Sequence, residues 1–144
     1  TVAENIEIST WTRPGGRPAA ERLELAYRVF PALRRHMARK GPEMSGGERK
    51  MLSIARALAL DADMLLLDEP FEGLSPAIIP AVSEGIASIT GLGHSILIAE
   101  SNIYHVPEFA ARLYVIERGE IIFAGRPGDV HADRAVMRVI GGAA

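Results

Sequence analysis

The stretch that most limits what this chain can fold into runs from Met44 to Pro76 and reads MSGGERKMLSIARALALDADMLLLDEPFEGLSP. Ser45 and Glu48 have the S-x-x-E spacing of a capping box, and the apolar residues that follow recur at helical spacing. This pattern predicts a helix from about Gly46 to Leu60. A strand-sized apolar run comes next and ends in two adjacent carboxylates, as in a buried strand of a parallel sheet.

The rest of the chain predicts further alternation of helices and strands. Before the Ser45 turn, the sequence predicts a short helix or extended piece in residues 1–10, a loop at 11–18, and a helix over 19–40 that Pro31 ends or kinks. After the helix that follows Ser45, it predicts a strand at 64–67 that is buried on both faces, a helix from Pro76 to Ile89, and a buried strand at 95–99. The remaining predicted elements are a helix over 102–110, strands at 113–117 and 120–124 joined by a turn at Arg118-Gly119, a closing helix over 127–140, and a frayed tail. We expect an α/β fold in which the strands complete one mainly parallel sheet with an antiparallel edge. Residues 1–43, which contain no comparable strand, are expected to form a helical subdomain, and residues 44–144 the second part of the fold.

Charge and composition exclude several kinds of protein. The formal net charge of −2 over 144 residues gives no electrostatic argument for binding nucleic acid or an anionic membrane. The sequence contains no cysteine, which excludes a disulfide framework and any cysteine metal site. Its longest apolar run is too short for a membrane span, and its first ten residues have no basic or apolar region typical of a signal peptide. Since the chain does not begin with Met, we expect it to be a fragment or a processed form.

The carboxylate pair Asp68-Glu69 is the first candidate site. Ligands of α/β proteins bind at the carboxyl ends of parallel strands, where this pair is expected to lie. Adjacent side chains diverge, so one carboxylate can hold Mg²⁺ through water while the other polarises an attacking water. The alternative is that both are ordinary turn or helix-capping acids.

The Ser45-Gly46-Gly47 turn is the second candidate site. Backbone N–H groups and the positive end of a helix make such a start suitable for an anion. A capping box alone needs only Ser45 and Glu48, which is the alternative explanation of the motif. Two glycines in the first turn lower helix propensity, and this cost favours close approach of the backbone to a ligand.

These motifs together resemble those of an ABC transporter ATPase. The segment MSGGE resembles the ABC signature sequence, MLLLDEP resembles its Walker B strand, and FEGLSP resembles the D-loop that follows. The resemblance covers essentially the whole chain, as the C-terminal portion of a P-loop NTPase core plus a helical subdomain. It is closest to ATP-binding subunits of importers for branched-chain amino acids and related amides such as urea, through TVAEN, VFPAL, EGLSP and LIAESN.

The resemblance implies roles for individual residues. Ser45, Gly46, Gly47 and Glu48 would form the turn that binds ATP held mainly by the opposite subunit of a dimer. Asp68 would bind Mg²⁺ through water, and Glu69 would be the general base. Ser101 stands where many family members have a catalytic switch histidine. Residues 73–75 would lie in the dimer interface.

Several features depart from the family pattern. The sequence contains no G-x-x-x-x-G-K-[ST] phosphate loop, and its only lysines are Lys40 and Lys50. Ser101 is not histidine, and Ser75 replaces an aspartate common in the D-loop. We expect His94 and His105 to be ordinary surface histidines. The cluster Arg34, Arg35, His36, Arg39 and Lys40 is either a solvated helix face or an interaction surface.

Three functional hypotheses remain open at this point. In the first, the parent protein hydrolyses ATP, with Mg²⁺, to drive import of branched-chain amino acids or related small solutes. It would act at the cytoplasmic face of the membrane with a second ATPase subunit and permease subunits. In the second, the isolated chain is a non-catalytic associating module that binds ATP weakly or not at all. The third is a non-transport ABC ATPase of translation or repair. An uncovered sheet edge and apolar face predict that the isolated chain is an oligomer.

Overall fold

The computed structural model describes residues 1–12 and 16–141, which divide into two compact units, residues 1–99 and 100–144. Positions 13–15 of the predicted loop and positions 142–144 of the predicted tail lie outside the described residues. The division into two units places the carboxylate pair and the Ser-Gly-Gly turn in the first unit.

The first unit begins with four α-helices, which are α1 (Val2–Trp11), α2 (Ala19–Val29), α3 (Pro31–Arg34) and α4 (Gly46–Leu58). The predicted interruption at Pro31 is confirmed. Phe30 has φ −125° and ψ 78°, outside the helical region, as expected for a residue that precedes proline. After α3 the chain continues in turns and a short 3₁₀ helix, Gly41–Glu43, rather than as helix to Lys40.

The core of this unit lies among α1, α2, α3 and α4 and includes the fully buried side chains of Val82, Ile86 and Ile89. Its fully buried side chains include Ile6, Phe30, Leu33 and Leu58. The start of α1 is tied to the turns after α3, because Val2 N–H donates to the Arg39 carbonyl (2.9 Å) and Ala3 N–H to the Met37 carbonyl (3.1 Å). These bonds satisfy N–H groups that a helix leaves unpaired in its first turn.

A parallel strand pair completes the first unit. Strand β1 (Met64–Asp68) pairs with β2 (Ser95–Ala99), with Leu66 opposite Leu97 and Asp68 opposite Ala99. The expectation that β1 is buried on both faces is wrong for this chain. Leu65 and Leu67 are buried, whereas Leu66 is 71% exposed, so one face of the strand pair is apolar and uncovered.

Helix α5 (Ile79–Thr90) connects the two strands. It begins three residues later than predicted, and Pro80, not Pro76, lies in its first turn. Pro76 instead lies in a turn whose Ser75 carbonyl accepts hydrogen bonds from the N–H groups of Ile78 and Ile79. The segment after the carboxylates is therefore a longer loop than the sequence suggested.

The second unit contains an antiparallel hairpin, β3 (Leu113–Glu117) and β4 (Glu120–Gly125). Arg118 and Gly119 both have positive φ (48° and 85°), as in the tight turns of two-residue hairpins, so the predicted turn is confirmed. The described strands form two two-stranded sheets, so the expectation of one continuous sheet is not met within residues 1–12 and 16–141.

Two helices of the second unit differ from their predictions. Instead of a helix over 102–110, the structure has a single 3₁₀ turn, Ile103–His105, which ends shortly before Pro107. The closing helix is divided into a 3₁₀ helix, Pro127–Ala132, and α6 (Arg134–Ile140), which Asp133 caps. Val115, Val130 and Val136 form the core of this unit.

Candidate functional site

The Ser45 turn has the capping box that its sequence predicts. The Glu48 N–H donates to the Ser45 hydroxyl oxygen (3.3 Å), and the Ser45 N–H donates to Glu48 Oε2 (2.8 Å). Ser45 is the N-cap of α4 and is exposed. The turn is therefore fixed by its own residues, with the Ser45 side chain at the surface of the unit.

The second carboxylate oxygen of Glu48 faces the basic cluster. His36 Nε2 lies 3.2 Å from Glu48 Oε1, and Arg39 Nη1 lies 3.8 Å from the same atom. The pKa of Glu48 is lowered, first by the Ser45 backbone N–H and next by the Ser45 hydroxyl, with smaller effects of His36 and Arg39. Two members of the basic cluster thus contact the Ser45 turn, while Arg34 pairs with Glu24 on the surface.

The two glycines of the turn differ in their surroundings. A Cβ added at Gly47 would lie 2.6 Å from Ile78 Cγ2, well inside normal contact, whereas a Cβ at Gly46 would meet no atom within 4 Å. Close packing against Ile78 therefore gives a reason for glycine at position 47 that needs no ligand, and the role of Gly47 in ligand binding stays a prediction. Gly46 is exposed, and an added Cβ there would meet no atom within 4 Å. Packing therefore does not explain why a residue of low helix propensity stands at this position.

Asp68 and Glu69 lie at the carboxyl end of β1, as predicted. Asp68 is exposed and Glu69 is half-buried. Glu69 has φ +44°, a conformation that costs a residue other than glycine of order 1–3 kcal/mol. Its N–H donates to the Ala99 carbonyl at the end of β2 (2.9 Å), so the neighbouring strand fixes the backbone at which the two carboxylates diverge.

Lys50 is a site contact that the sequence reasoning missed. Its ammonium group donates to the Glu69 carbonyl oxygen (2.8 Å) and so joins α4 to the end of β1. The bond brings the Ser45 turn and the carboxylate pair into one connected arrangement. Lys50 and Glu69 are 19 residues apart in the sequence, and neither helix nor strand periodicity predicts a contact at that separation. The only signal in the sequence is that Lys50 stands beside the turn.

The remaining predicted site residues lie in loops. Gly73 has φ +70° and, with Ser75, lies in the exposed part of the loop after β1. Ser101 belongs to the second unit, is exposed, and directly follows Glu100. The Glu100 side chain is almost fully buried, and its Oε2 lies 3.5 Å from His105 Nδ1.

His94 is not a surface histidine, contrary to the expectation. It is 7% exposed, and its Nδ1 lies 2.7 Å from the Ala62 carbonyl oxygen. Its Nε2 lies 3.4 Å from Arg17 Nη1, and Arg17 also pairs with Asp61 (3.6 Å). His94 thus fastens the turn that precedes β1, and no sequence pattern pointed to this contact.

The part of the chain that the structure describes contains no group of three or more histidine, aspartate or glutamate side chains placed to hold a metal ion. Nor does any helix within residues 1–12 or 16–141 have the length and apolar character needed to cross a membrane.

The fold and the site together define the class of protein. The structure superimposes on an ATP-binding cassette of an ABC transporter, solved in its ADP conformation, with a TM-score of 0.81 and 28% identity. The match covers 100% of this chain and 63% of the solved one. The fold is therefore that of an ABC ATPase cassette of the P-loop NTPase class, as the sequence predicted.

Sequence comparison identifies the family. The ABC transporter family model matches residues 1–72, which are half of the chain, and the chain belongs to this family. A probable branched-chain amino acid transport ATP-binding protein LivF of Archaeoglobus fulgidus is 34% identical over 131 residues, covering 90% of this chain and 55% of the relative. A lipopolysaccharide export system ATP-binding protein LptB of Acidithiobacillus ferridurans is 34% identical over 141 residues, covering 96% of this chain and 58% of the relative. The chain thus spans a little over half the length of these relatives.

Proposed function

We propose that this chain is part of the ATP-binding subunit of a transporter and contributes one carboxylate pair and one Ser-Gly-Gly turn to ATP hydrolysis. The observation that carries the proposal is the position of Asp68 and Glu69 at the carboxyl end of β1, beside the end of β2, in a chain of this family. Ligands of α/β sheets bind at this end of the strands.

The chemistry of the pair fits ATP with Mg²⁺. Magnesium is usually held by one or two carboxylates together with phosphate oxygens and water, and it would supply charge neutralisation at the phosphates. Asp68 is exposed at the strand end and would hold the ion through water. The Glu69 carboxylate would accept a proton from the attacking water, which is the role of a general base.

The Ser45 turn would bind the γ-phosphate of a nucleotide held by a second ATPase subunit. The exposed Ser45 hydroxyl and the first-turn N–H groups of α4 are donors for an anion, and the open space at Gly46 leaves room for it. Residues 73–75 would lie in the interface with that subunit. Ser101, at the position where many family members have the switch histidine, would contact a γ-phosphate as a neutral hydrogen-bonding group.

The transport partners follow from the same proposal. The helical region 1–60 would dock permease subunits at the cytoplasmic face of the membrane. Residues 1–43 would be part of the helical subdomain, and residues 44–144 would form the signature helix and the C-terminal half of the catalytic core. The cargo is proposed to be a branched-chain amino acid or a related small solute, on the strength of EGLSP and LIAESN and of the LivF relative. The LptB relatives make lipopolysaccharide export the second candidate.

The test is ATP turnover of the transporter assembled from this subunit and its permease partners. Glu69→Gln keeps the size of the side chain but cannot accept the proton, so we expect turnover to fall by about 10²-fold or more while ATP binding persists. Glu84→Gln, which removes an exposed carboxylate on α5, is the matched control and should leave turnover unchanged. Equal turnover in the wild type and Glu69→Gln would contradict the proposed role.

Cargo identity needs a separate measurement. Stimulation of turnover by branched-chain amino acids with their binding protein would support the importer, whereas stimulation only by lipopolysaccharide would support the exporter.

A further inference from the structure

Lys50 makes a contact that the proposed chemistry does not use. Its ammonium group donates to the backbone carbonyl of Glu69, not to a carboxylate. We propose that Lys50 is a positioning residue for ATP hydrolysis, which fixes the peptide carrying Glu69 and couples it to the Ser45 turn. This inference rests on the proposed function, in which Glu69 is the general base.

The Glu69 backbone needs external support in this conformation. Its φ of +44° is unfavourable for a residue with a Cβ, so the surrounding structure must hold it. Pro70 has no N–H, so the Glu69–Pro70 peptide can be held by hydrogen bonds only through the Glu69 carbonyl. Two donors reach that oxygen, the Lys50 ammonium (2.8 Å) and the Glu72 N–H of the loop after β1 (3.2 Å). The Lys50 bond is the shorter of the two, joins Glu69 to a different element, and has a charged donor, which makes a stronger bond than a neutral one.

Two elements therefore hold Glu69 from opposite ends of the residue. The Ala99 carbonyl of β2 accepts from its N–H, and Lys50 of α4 donates to its carbonyl. With both backbone groups fixed, rotation about the Glu69 backbone is restricted, and the direction of the carboxylate is restricted with it. A general base must point at its water within hydrogen-bond distance, so this restriction bears on kcat.

The same residue links two different nucleotide sites. Ser45 and Lys50 lie on one helix, five residues or about 7.5 Å of axial rise apart. In the proposed dimer, Ser45 contacts the nucleotide held by the partner, whereas Glu69 acts on the nucleotide of its own subunit. In this arrangement, a movement of the Ser45 turn is passed through Lys50 to the Glu69–Pro70 peptide group.

The first experiment needs no nucleotide and uses the chain itself. Lys50→Met removes the donor but keeps an unbranched stem, Lys50→Arg restores a cationic donor, and Lys40→Met removes the only other lysine, which is exposed. We expect amide hydrogen exchange at Glu69 to become about tenfold faster in Lys50→Met, to recover in Lys50→Arg, and to stay unchanged in Lys40→Met. Unchanged exchange at Glu69 in Lys50→Met would overturn the inference.

The second experiment measures ATP turnover in the assembled transporter. Lys50→Met should lower kcat about tenfold with KM unchanged, since misplacement of a catalytic group affects the reaction and not substrate binding, and Lys50→Arg should recover most of it. A rise in KM with kcat preserved would overturn the positioning role. If the wild type fails to turn over ATP, the proposed function fails, and the exchange experiment still decides whether Lys50 holds the Glu69 peptide.

Discussion

Replacing each glycine of the Ser45 turn by alanine separates packing from ligand binding. At Gly47 the new Cβ would lie 2.6 Å from Ile78 Cγ2. Carbon atoms pack at about 3.5–4.0 Å, so Ile78 or α4 must move by about 1 Å. At Gly46 the same methyl group meets no atom within 4 Å. The two substitutions have the same chemistry at neighbouring positions and differ in what surrounds them.

The expected magnitudes follow from this difference. Overpacking costs about 1–3 kcal/mol, and alanine regains up to about 1 kcal/mol of helix propensity over glycine. Gly47→Ala should therefore lower the free energy of unfolding by about 1–2 kcal/mol, whereas Gly46→Ala should leave it unchanged or raise it slightly.

Urea unfolding of the chain, followed by far-UV circular dichroism, measures both variants. With an m-value of about 2 kcal/mol/M, the midpoint should fall by about 0.5–1 M for Gly47→Ala and stay or rise for Gly46→Ala. Combining Gly47→Ala with Ile78→Ala removes the clashing methyl, so the pair should cost less than the sum of its single variants. Equal downward shifts for the two glycine variants would refute the packing argument.

Two further predictions concern stability and association. The folded state lowers the pKa of Glu48, so the stability that its carboxylate contributes is present above the unfolded pKa of about 4.5 and is lost as pH falls below that value. Glu48→Gln keeps the capping geometry but should flatten the fall in stability on acidification below about pH 4.5. Thermal unfolding across pH 3–7 measures this, and an unchanged pH profile in the variant would refute the prediction. The exposed apolar face of β1 predicts that the isolated chain self-associates and that Leu66→Lys weakens the association in light scattering, whereas a wild-type monomer at all concentrations would count against it.

The elements that were predicted correctly depend on short-range patterns. The capped start of α4 needs only Ser45 and Glu48, and the hairpin turn needs only Arg118 and Gly119. Both can be read from neighbouring residues because the groups that satisfy each other lie within four positions. The carboxylates of the candidate site were located for the same reason, since they directly follow an apolar strand.

The predictions that failed depend on contacts between distant segments. His94 is buried because the Ala62 carbonyl and Arg17, 32 and 77 residues away, surround its ring. The close packing of Gly47 against Ile78 was not predicted either, because Ile78 lies in a different segment and the spacing of neighbouring residues carries no information about it. The helix predicted over 102–110 fails locally, since Pro107 removes a donor and Asn102 caps only one 3₁₀ turn.

The bonds between the start of α1 and the turns after α3 have a mechanical consequence. Arg39 accepts a hydrogen bond from Val2 through its carbonyl and approaches the Glu48 carboxylate through its guanidinium. The neighbouring residues make a second link, because the Met37 carbonyl accepts from the Ala3 N–H and His36 lies 3.2 Å from the same Glu48 oxygen. A force applied to the first turn of α1 therefore reaches the Ser45 turn through residues 36–39, without passing through the apolar core.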